Sequence, residues 1–205
     1  MEYLDYYDES GKFLGKETRE IVHSLGLWHK TIHCWLYDKE GYIYFQIRSD
    51  SHKLYTTASG HILAGETVKE AFSREVYEEI GIKVSTENAQ LLEITVWKQD
   101  KMKATGPYKD RALANVYICE FDKKVNNFKF DPNEVEGLVK VKAELVLNLL
   151  RKESGEIPAE KIINEGTGYS LTNVTLKLED FLIASNEIGL IKYGKILQEV
   201  IYLTK

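Results

Sequence analysis

Three glutamates, Glu75, Glu78 and Glu79, follow directly on Arg74 in the run Arg74-Glu75-Val76-Tyr77-Glu78-Glu79-Ile80-Gly81-Ile82, and Gly60 and Glu66 stand upstream of it. On a helix, positions three and four apart are neighbours, so the three carboxylates would converge on one side. Like charges held this close raise one another's pKa and weaken the helix unless a cation sits among them. An all-oxygen ligand set suits Mg²⁺ or Mn²⁺, hard ions that keep several waters and bind substrate phosphates directly. The residue types therefore point to metal-assisted chemistry on a phosphate compound. An acidic run by itself would ordinarily be a solvated surface. The spaced Gly60, Glu66, Arg74 and Gly81 set this one apart, and Gly60 lets the backbone, including the Ser59 carbonyl, come close to the same ion.

To converge, these carboxylates need a helix, and the local signals supply one. Thr67 with Glu70 makes a capping-box pattern, Gly81 is a C-terminal stop, and neither Gly nor Pro interrupts residues 68 to 80. Val68, Phe72, Val76 and Ile80 form a row that can pack inward, beside a row of Ala71, Glu75 and Glu79. β-Rich runs at 31–37 and 42–48, joined by Asp38-Lys39-Glu40-Gly41, predict a hairpin. Residues 54–58 predict the strand that delivers the chain to Gly60, and 91–99 and 112–121 predict two further strands. The Asp8-Glu9-Ser10-Gly11 turn predicts a small N-terminal β-hairpin, and the lysine-rich stretch from Lys98 to Arg111, with Gly106-Pro107, predicts a loop at the substrate end. Residues 138–141 read as a strand, while 143–152, 178–184 and 191–203 carry helix patterns. The expected organisation is one α/β domain over residues 1–205. It comprises an N-terminal β extension at 1–28, a core at 29–150 with a central mixed sheet between the acidic helix and the later helices, and a helical C-terminal extension at 151–205.

From Gly60 to Ile82 the chain resembles, without a gap, the Nudix box of the Nudix hydrolase superfamily. Seven fixed residue types at roughly 6 to 7% usage and two aliphatic positions at roughly a quarter leave a chance match on the order of 10⁻¹⁰ to 10⁻⁹ per register. The resemblance implies a Nudix α/β/α sandwich and hydrolysis of a diphosphate linkage, in a nucleoside diphosphate-X or related organic diphosphate. It also implies Glu75, Glu78, Glu79 and the Ser59 carbonyl as metal ligands, and Arg74 in the catalytic machinery as a brace that pairs with Glu66 or a catalytic carboxylate. Gly60, Glu66 and Gly81 are its structural residues. Outside the box, about residues 5 to 120 resemble the isopentenyl-diphosphate-isomerase-like branch, through Asp8-Glu9-Ser10-Gly11, Gly15, Arg19, His23, Gly26, Trp28-His29, Arg48 and Ser59-Gly60-His61. The isomerases carry a catalytic cysteine where this chain has Ser59, and a hydroxyl cannot replace a thiol in that acid-base role. Their second acidic pair falls near Leu113 and Asn115, where no carboxylate stands. Hydrolysis is therefore expected, with isomerisation or a catalytically silent diphosphate-binding module as the alternatives. In that branch His23, His29 and His61 correspond to a histidine metal site. Here they either touch the diphosphate or a second ion, or line the cleft as hydrogen-bonded structural residues. Arg19 and Arg48 correspond to diphosphate-contacting positions, which suits an arginine fork, although a surface ion pair is the plainer use of each. The general base is open among Glu75, Glu134 and Glu136.

At 205 residues and 43% hydrophobic content the chain can bury one full core. A net charge of −5 and a pI near 5.6 provide no broad basic field for a nucleic-acid polymer. Cys34 and Cys119 lie in apolar runs and residues 1–10 are acidic and tyrosine-rich, so buried reduced thiols and a cytoplasmic setting are expected. No apolar run approaches the length of a bilayer span, so no membrane partner is expected. The expected partner is a small-molecule diphosphate whose attached group is read by residues 98–111 and by the tail. Trp28, Trp35 and Trp97 are candidates for stacking on a base or for core packing. The tail after Pro158 is read as serving a homodimer contact or as capping the cleft.

Overall fold

The computed structural model describes residues 1–103, 106–122, 128–164, 168–183 and 187–205. In chain order the elements are β1 (Tyr3–Tyr7), β2 (Phe13–Thr18), α1 (Arg19–Leu25), β3 (Trp28–Tyr37), β4 (Tyr42–Arg48), β5 (Leu54–Tyr55), β6 (Ala58–His61) and α2 (Val68–Ile80). They continue with β7 (Ala89–Lys103), β8 (Gly106–Glu120), β9 (Val135–Lys142), α3 (Ala143–Leu150), β10 (Ile157–Asn164), β11 (Tyr169–Leu176) and α4 (Glu187–Leu203). The strands form one mixed sheet in the order β11-β10-β9-β4-β3-β1-β2, with β8 parallel to β3, β7 antiparallel to β8, β5 on β4 and β6 on β3.

Alternation along the central strands gives both faces of the sheet a core. On β3, Ile32, Cys34 and Leu36 point to one side, where Ala71, Phe72, Val76 and Ile80 of α2 pack. Trp35 and Tyr37 point to the other, against Val146 and Leu149 of α3 and Tyr193, Ile196, Leu197 and Val200 of α4. The acidic helix on one face and the later helices on the other make the expected α/β/α sandwich. β3 and β4 meet at Tyr37↔Ile43 and then part, with β6 following β3 and β5 following β4.

Four expectations about elements need correction. The chain after Thr18 forms the short helix α1, so residues 1–28 are not purely β; Thr18 caps it and Gly26 ends it at φ 72°. The stretch from Lys98 to Arg111 is a ladder and not a loop, with Lys98↔Arg111, Gln99↔Asp110 and Lys101↔Tyr108 paired across β7 and β8. Its apolar alternation fails because one face lines a polar cavity and the other meets solvent; Ala104 and Thr105 lie outside the described residues. The C-terminal extension is helical only from residue 187, because β10 and β11 first add a hairpin to the sheet. Pro158 is tolerated there because β9 pairs β10 from Glu160 onward, leaving Pro158 facing only Thr175 of β11. The expected helix at 178–184 is a single 3₁₀ turn at Leu178–Asp180, and Ala184 lies outside the described residues.

Candidate active site

α2 begins and ends as its sequence dictates. Thr67 Oγ1 accepts from the Glu70 backbone N–H while the Glu70 carboxylate accepts from the Thr67 N–H, and Gly81 closes the helix at φ 73°. With the apolar row turned to the sheet, Glu75 and Glu79 are drawn inward, 8% and 2% exposed, while the Glu78 side chain stays 56% exposed. Burial pushes the Glu75 carboxyl up to about 7, opposed by Arg74 and reinforced by Glu78 and Glu134. Burial also raises Glu79 well above the carboxylate range, against a backbone hydrogen bond from Ser59. Glu79 Oε2 accepts from the Ser59 N–H at 3.0 Å and from Gln46 Nε2 at 3.2 Å.

Arg74 is the brace of this cluster, with all three guanidinium nitrogens engaged. Nε and Nη2 each donate to a Glu66 oxygen at 2.8 Å, Nη2 also donates to the His61 carbonyl at 3.0 Å, and Nη1 reaches Glu75 at 2.7 Å and Glu78 at 3.1 Å. Glu66 in turn accepts from the Leu63 N–H at 2.9 Å, so the box loop is tied to the helix. Gly60 is required by contact: a Cβ built there would lie 1.9 Å from Glu75 Cδ. Glu75 and Glu79, buried with raised pKa values and packed on a backbone cradle beside the more exposed Glu78, have the donor chemistry of a hard divalent cation site.

The carboxylates open into a cavity of about 530 Å³ that Arg19, Arg48, Ser59, His61 and Arg74 also line. Each of the two phosphate-type arginines is held by a carboxylate, Arg19 by Glu2 at 2.9 Å and Arg48 by both oxygens of Asp50 at 3.0 and 2.9 Å. Of the two downstream glutamates, Glu134 lines the cavity, whereas Glu136 pairs with His52 at 2.5 Å and does not line it.

The three histidines come together. His23 comes from α1, His29 from β3 and His61 from β6, and their ligand atoms lie within 4.8 Å of one another. Only His61 of the three lines the cavity; His23 and His29 are buried. His23 Nδ1 meets the Arg19 carbonyl at 2.8 Å, and His29 Nδ1 meets the Leu27 carbonyl at 3.1 Å. A carbonyl can only accept, so each Nδ1 carries the proton of its hydrogen bond. His61 Nε2 stands 3.3 Å from His23 Nε2. His29 Nε2 faces Asp110 Oδ1 at 3.4 Å, and neither atom has a hydrogen-bond partner. Burial lowers the pKa of His23 and lowers that of His61 well below the ordinary value. Such a nitrogen-rich set with a carboxylate beside it could accept a borderline divalent ion.

Gln46, Asp110, Glu2 and Tyr108 were not singled out by the sequence. Gln46 had one readable sign, since on β4 it alternates with Ile47 and so shares the helix-facing side with Tyr44. Asp110 sits in a stretch that reads as a loop, which hid its pairing partner. Cys34 and Cys119 are buried thiols outside any disulfide, as expected. No helix among the described residues is long and apolar enough to cross a membrane.

Residues 27–161 match the family model described as NUDIX domain. An uncharacterized Nudix hydrolase of Clostridium acetobutylicum is 31% identical across 88% of this chain and 90% of its own length. Nudix hydrolase 3 of Arabidopsis thaliana is 27% identical across 74% of this chain, which corresponds to 21% of that longer protein. Among solved structures, DR0079 from Deinococcus radiodurans superposes with a TM-score of 0.54 at 20% identity, over 74% of this chain and 90% of that one.

Proposed function

The chain belongs to the NUDIX domain family and to its hydrolases, and from that membership we propose that it cleaves the phosphoanhydride bond of a small organic diphosphate, with Mg²⁺ or Mn²⁺ as cofactor. The observation that carries this reading is the pair of buried carboxylates, Glu75 and Glu79, whose burial disfavours the ionised form and which face a cavity also lined by arginines. Glu75, Glu78 and Glu79, with the Ser59 carbonyl, would hold the divalent ion. Bound there, the ion supplies charge neutralisation on the diphosphate and a more acidic water.

The chain's own residues do the positioning. Arg74 fixes Glu75 and Glu78 relative to the Glu66 loop, and the two donors on Glu79 Oε2 leave Oε1 without a competing donor. Arg19 and Arg48 can exchange their carboxylate partners for phosphate oxygens, which fit a guanidinium fork equally well. That Glu134 lines the cavity supports it, with Glu75 as the other candidate, as the group that takes the proton of the attacking water. His61, with His23 and His29 behind it, forms the substrate-side wall. His29 Nε2 and Asp110 Oδ1, 3.4 Å apart and each without a hydrogen-bond partner, favour a second cation there. Co²⁺ added to the protein should then give a ligand-field spectrum that His29→Ala abolishes. The acidic net charge and the polar cavity suit a cytoplasmic enzyme of small molecules, and homodimerisation is compatible with the reading.

The reaction is tested in ¹⁸O-enriched water with nucleotide sugars, dinucleotides, nucleoside di- and triphosphates and prenyl diphosphates. The expected result is Mg²⁺-dependent release of a phosphate product carrying one ¹⁸O from at least one compound. Conversion of isopentenyl diphosphate to dimethylallyl diphosphate with no labelled phosphate would overturn it in favour of isomerisation.

A further inference from the structure

Glu134 and Glu136 stand two residues apart, and along a regular strand they would share a face. They part instead. The β4–β9 ladder runs Ile47↔Gly137 and then Arg48↔Val135, so Glu136 is the extra residue of a β-bulge. Bulges beside a cavity re-aim side chains. Here Glu134 lines the cavity, while Glu136 lies outside it and pairs with His52 at 2.5 Å. The charge of Glu134 also adds to the upward push on the Glu75 and Glu79 carboxyls, in keeping with its place beside them.

The segment that carries Glu134 is held from two sides. On the helix side, the Lys129 and Asp131 N–H groups donate to the Ile80 and Glu79 carbonyls at the end of α2, at 2.8 and 3.1 Å, and Asp131 Oδ1 accepts from the Asn133 N–H and Nδ2, each at 2.9 Å. Gly81 makes room for this crossing, since a Cβ there would lie 2.5 Å from Lys129 Cβ. On the strand side, the turn between β4 and β5 does the holding. The Ser49 N–H donates to the Glu134 carbonyl at 3.0 Å and Ser49 Oγ to the Asn133 carbonyl at 2.5 Å. His52 in the same turn has φ 56°, a left-handed conformation that a residue with a side chain keeps only where its surroundings hold it. Its N–H donates to the Arg48 carbonyl at 2.8 Å and its ring meets Glu136. We propose that Ser49 and His52 are positioning residues for Glu134: Ser49 grips the backbone of Asn133 and Glu134, His52 draws Glu136 away, and together they keep the Glu134 carboxylate at the cavity as the proton acceptor. The proton-accepting role rests on the diphosphatase reading, whereas the pinning of the segment does not.

The double variant Ser49→Ala/His52→Gly removes both side-chain grips and leaves at position 52 a residue that suits the left-handed conformation. Hydrogen exchange of the full chain should be about tenfold faster over residues 129–136, with α2 unchanged. With the best substrate of the panel in Mg²⁺, kcat should fall about tenfold while KM stays within about twofold, as expected for a misplaced proton acceptor. In a Glu134→Gln background the same two substitutions should lower kcat no further, which a merely structural role would not produce. If the double variant fails to fold, each single variant carries the same comparisons at about threefold. Unchanged exchange, kcat within twofold of wild type, a full further loss in the Glu134→Gln background, or wild-type kcat from Glu134→Gln itself overturns the proposal. Any of these with labelled phosphate release intact leaves the diphosphatase reading standing. If no diphosphate releases phosphate, that reading fails, and the exchange measurement alone decides the pinning.

Discussion

Glu75 and Glu79 are buried where ionisation is costly, and Arg74 cannot neutralise them alone because it is shared with Glu66 and Glu78. In the metal-free protein the folded state therefore holds protons to higher pH than the unfolded chain does. It binds more protons between the ordinary glutamate value of 4.5 and about 7, so stability is full below that window and declines as pH rises through it. For Glu75 alone the shift corresponds to about 3 kcal/mol. Thermal melts in EDTA should show a lower Tm at pH 8 than at pH 5, and Mg²⁺ should raise the pH 8 value toward the other. A Tm in EDTA that is flat across this range would contradict the burial argument. Gly60 makes the same point sterically. Gly60→Ala must displace the Glu75 carboxyl that occupies the Cβ position, so at least a tenfold fall in kcat is expected with little change in the melt.

The acidic helix was legible to the residue because every local signal agreed. Its cap, its stop and its apolar row are all short-range, and the observed span of Val68–Ile80 matches the expected one. Thr67→Ala should cost about 1 kcal/mol in urea denaturation, the ordinary cost of losing an N-cap. A loss below a few tenths would mean that packing and not capping sets this helix end. β4 was equally legible, since its β-rich run ends where the strand does, at Arg48. The β7–β8 ladder was not, because strands that border a polar cavity lose the alternation that reveals a half-buried strand. β10 and β11 were missed for a related reason. Ile157 and Ala159 face one core while Ile162 faces the other, so no single apolar face runs the length of β10. α1 is seven residues long, too short for periodicity, and only its Thr18 cap and Gly26 stop mark it. Within the site, the box residues could be read from spacing. Asp110 could not, because its partner is distant in sequence, and Gln46 showed only its alternation on β4, not its partner Glu79.

At the scale of the whole molecule, the sheet carries its metal-type carboxylates from one face and its tail from the other, and the cavity takes residues from both. The tail is part of the main core: Tyr193 packs edge-on to Trp35 at 4.7 Å, and Phe181 to Phe45 at 5.1 Å. Leu197→Ala should therefore destabilise the entire domain by about 2 to 5 kcal/mol in a single cooperative urea transition. Separate unfolding of the tail, with the remainder unaffected, would show that residues 157–205 are an independent appendage. What would join both halves to a single activity is the proposed cation site at the carboxylate cluster. It is tested by measuring phosphate release against Mg²⁺ concentration for the wild-type protein and for Glu79→Gln, using the best substrate of the panel. The account predicts a saturable Mg²⁺ dependence, at least a hundredfold loss of turnover in the variant, and an unchanged fold. Wild-type rates from Glu79→Gln, or equal phosphate release in EDTA, would contradict it.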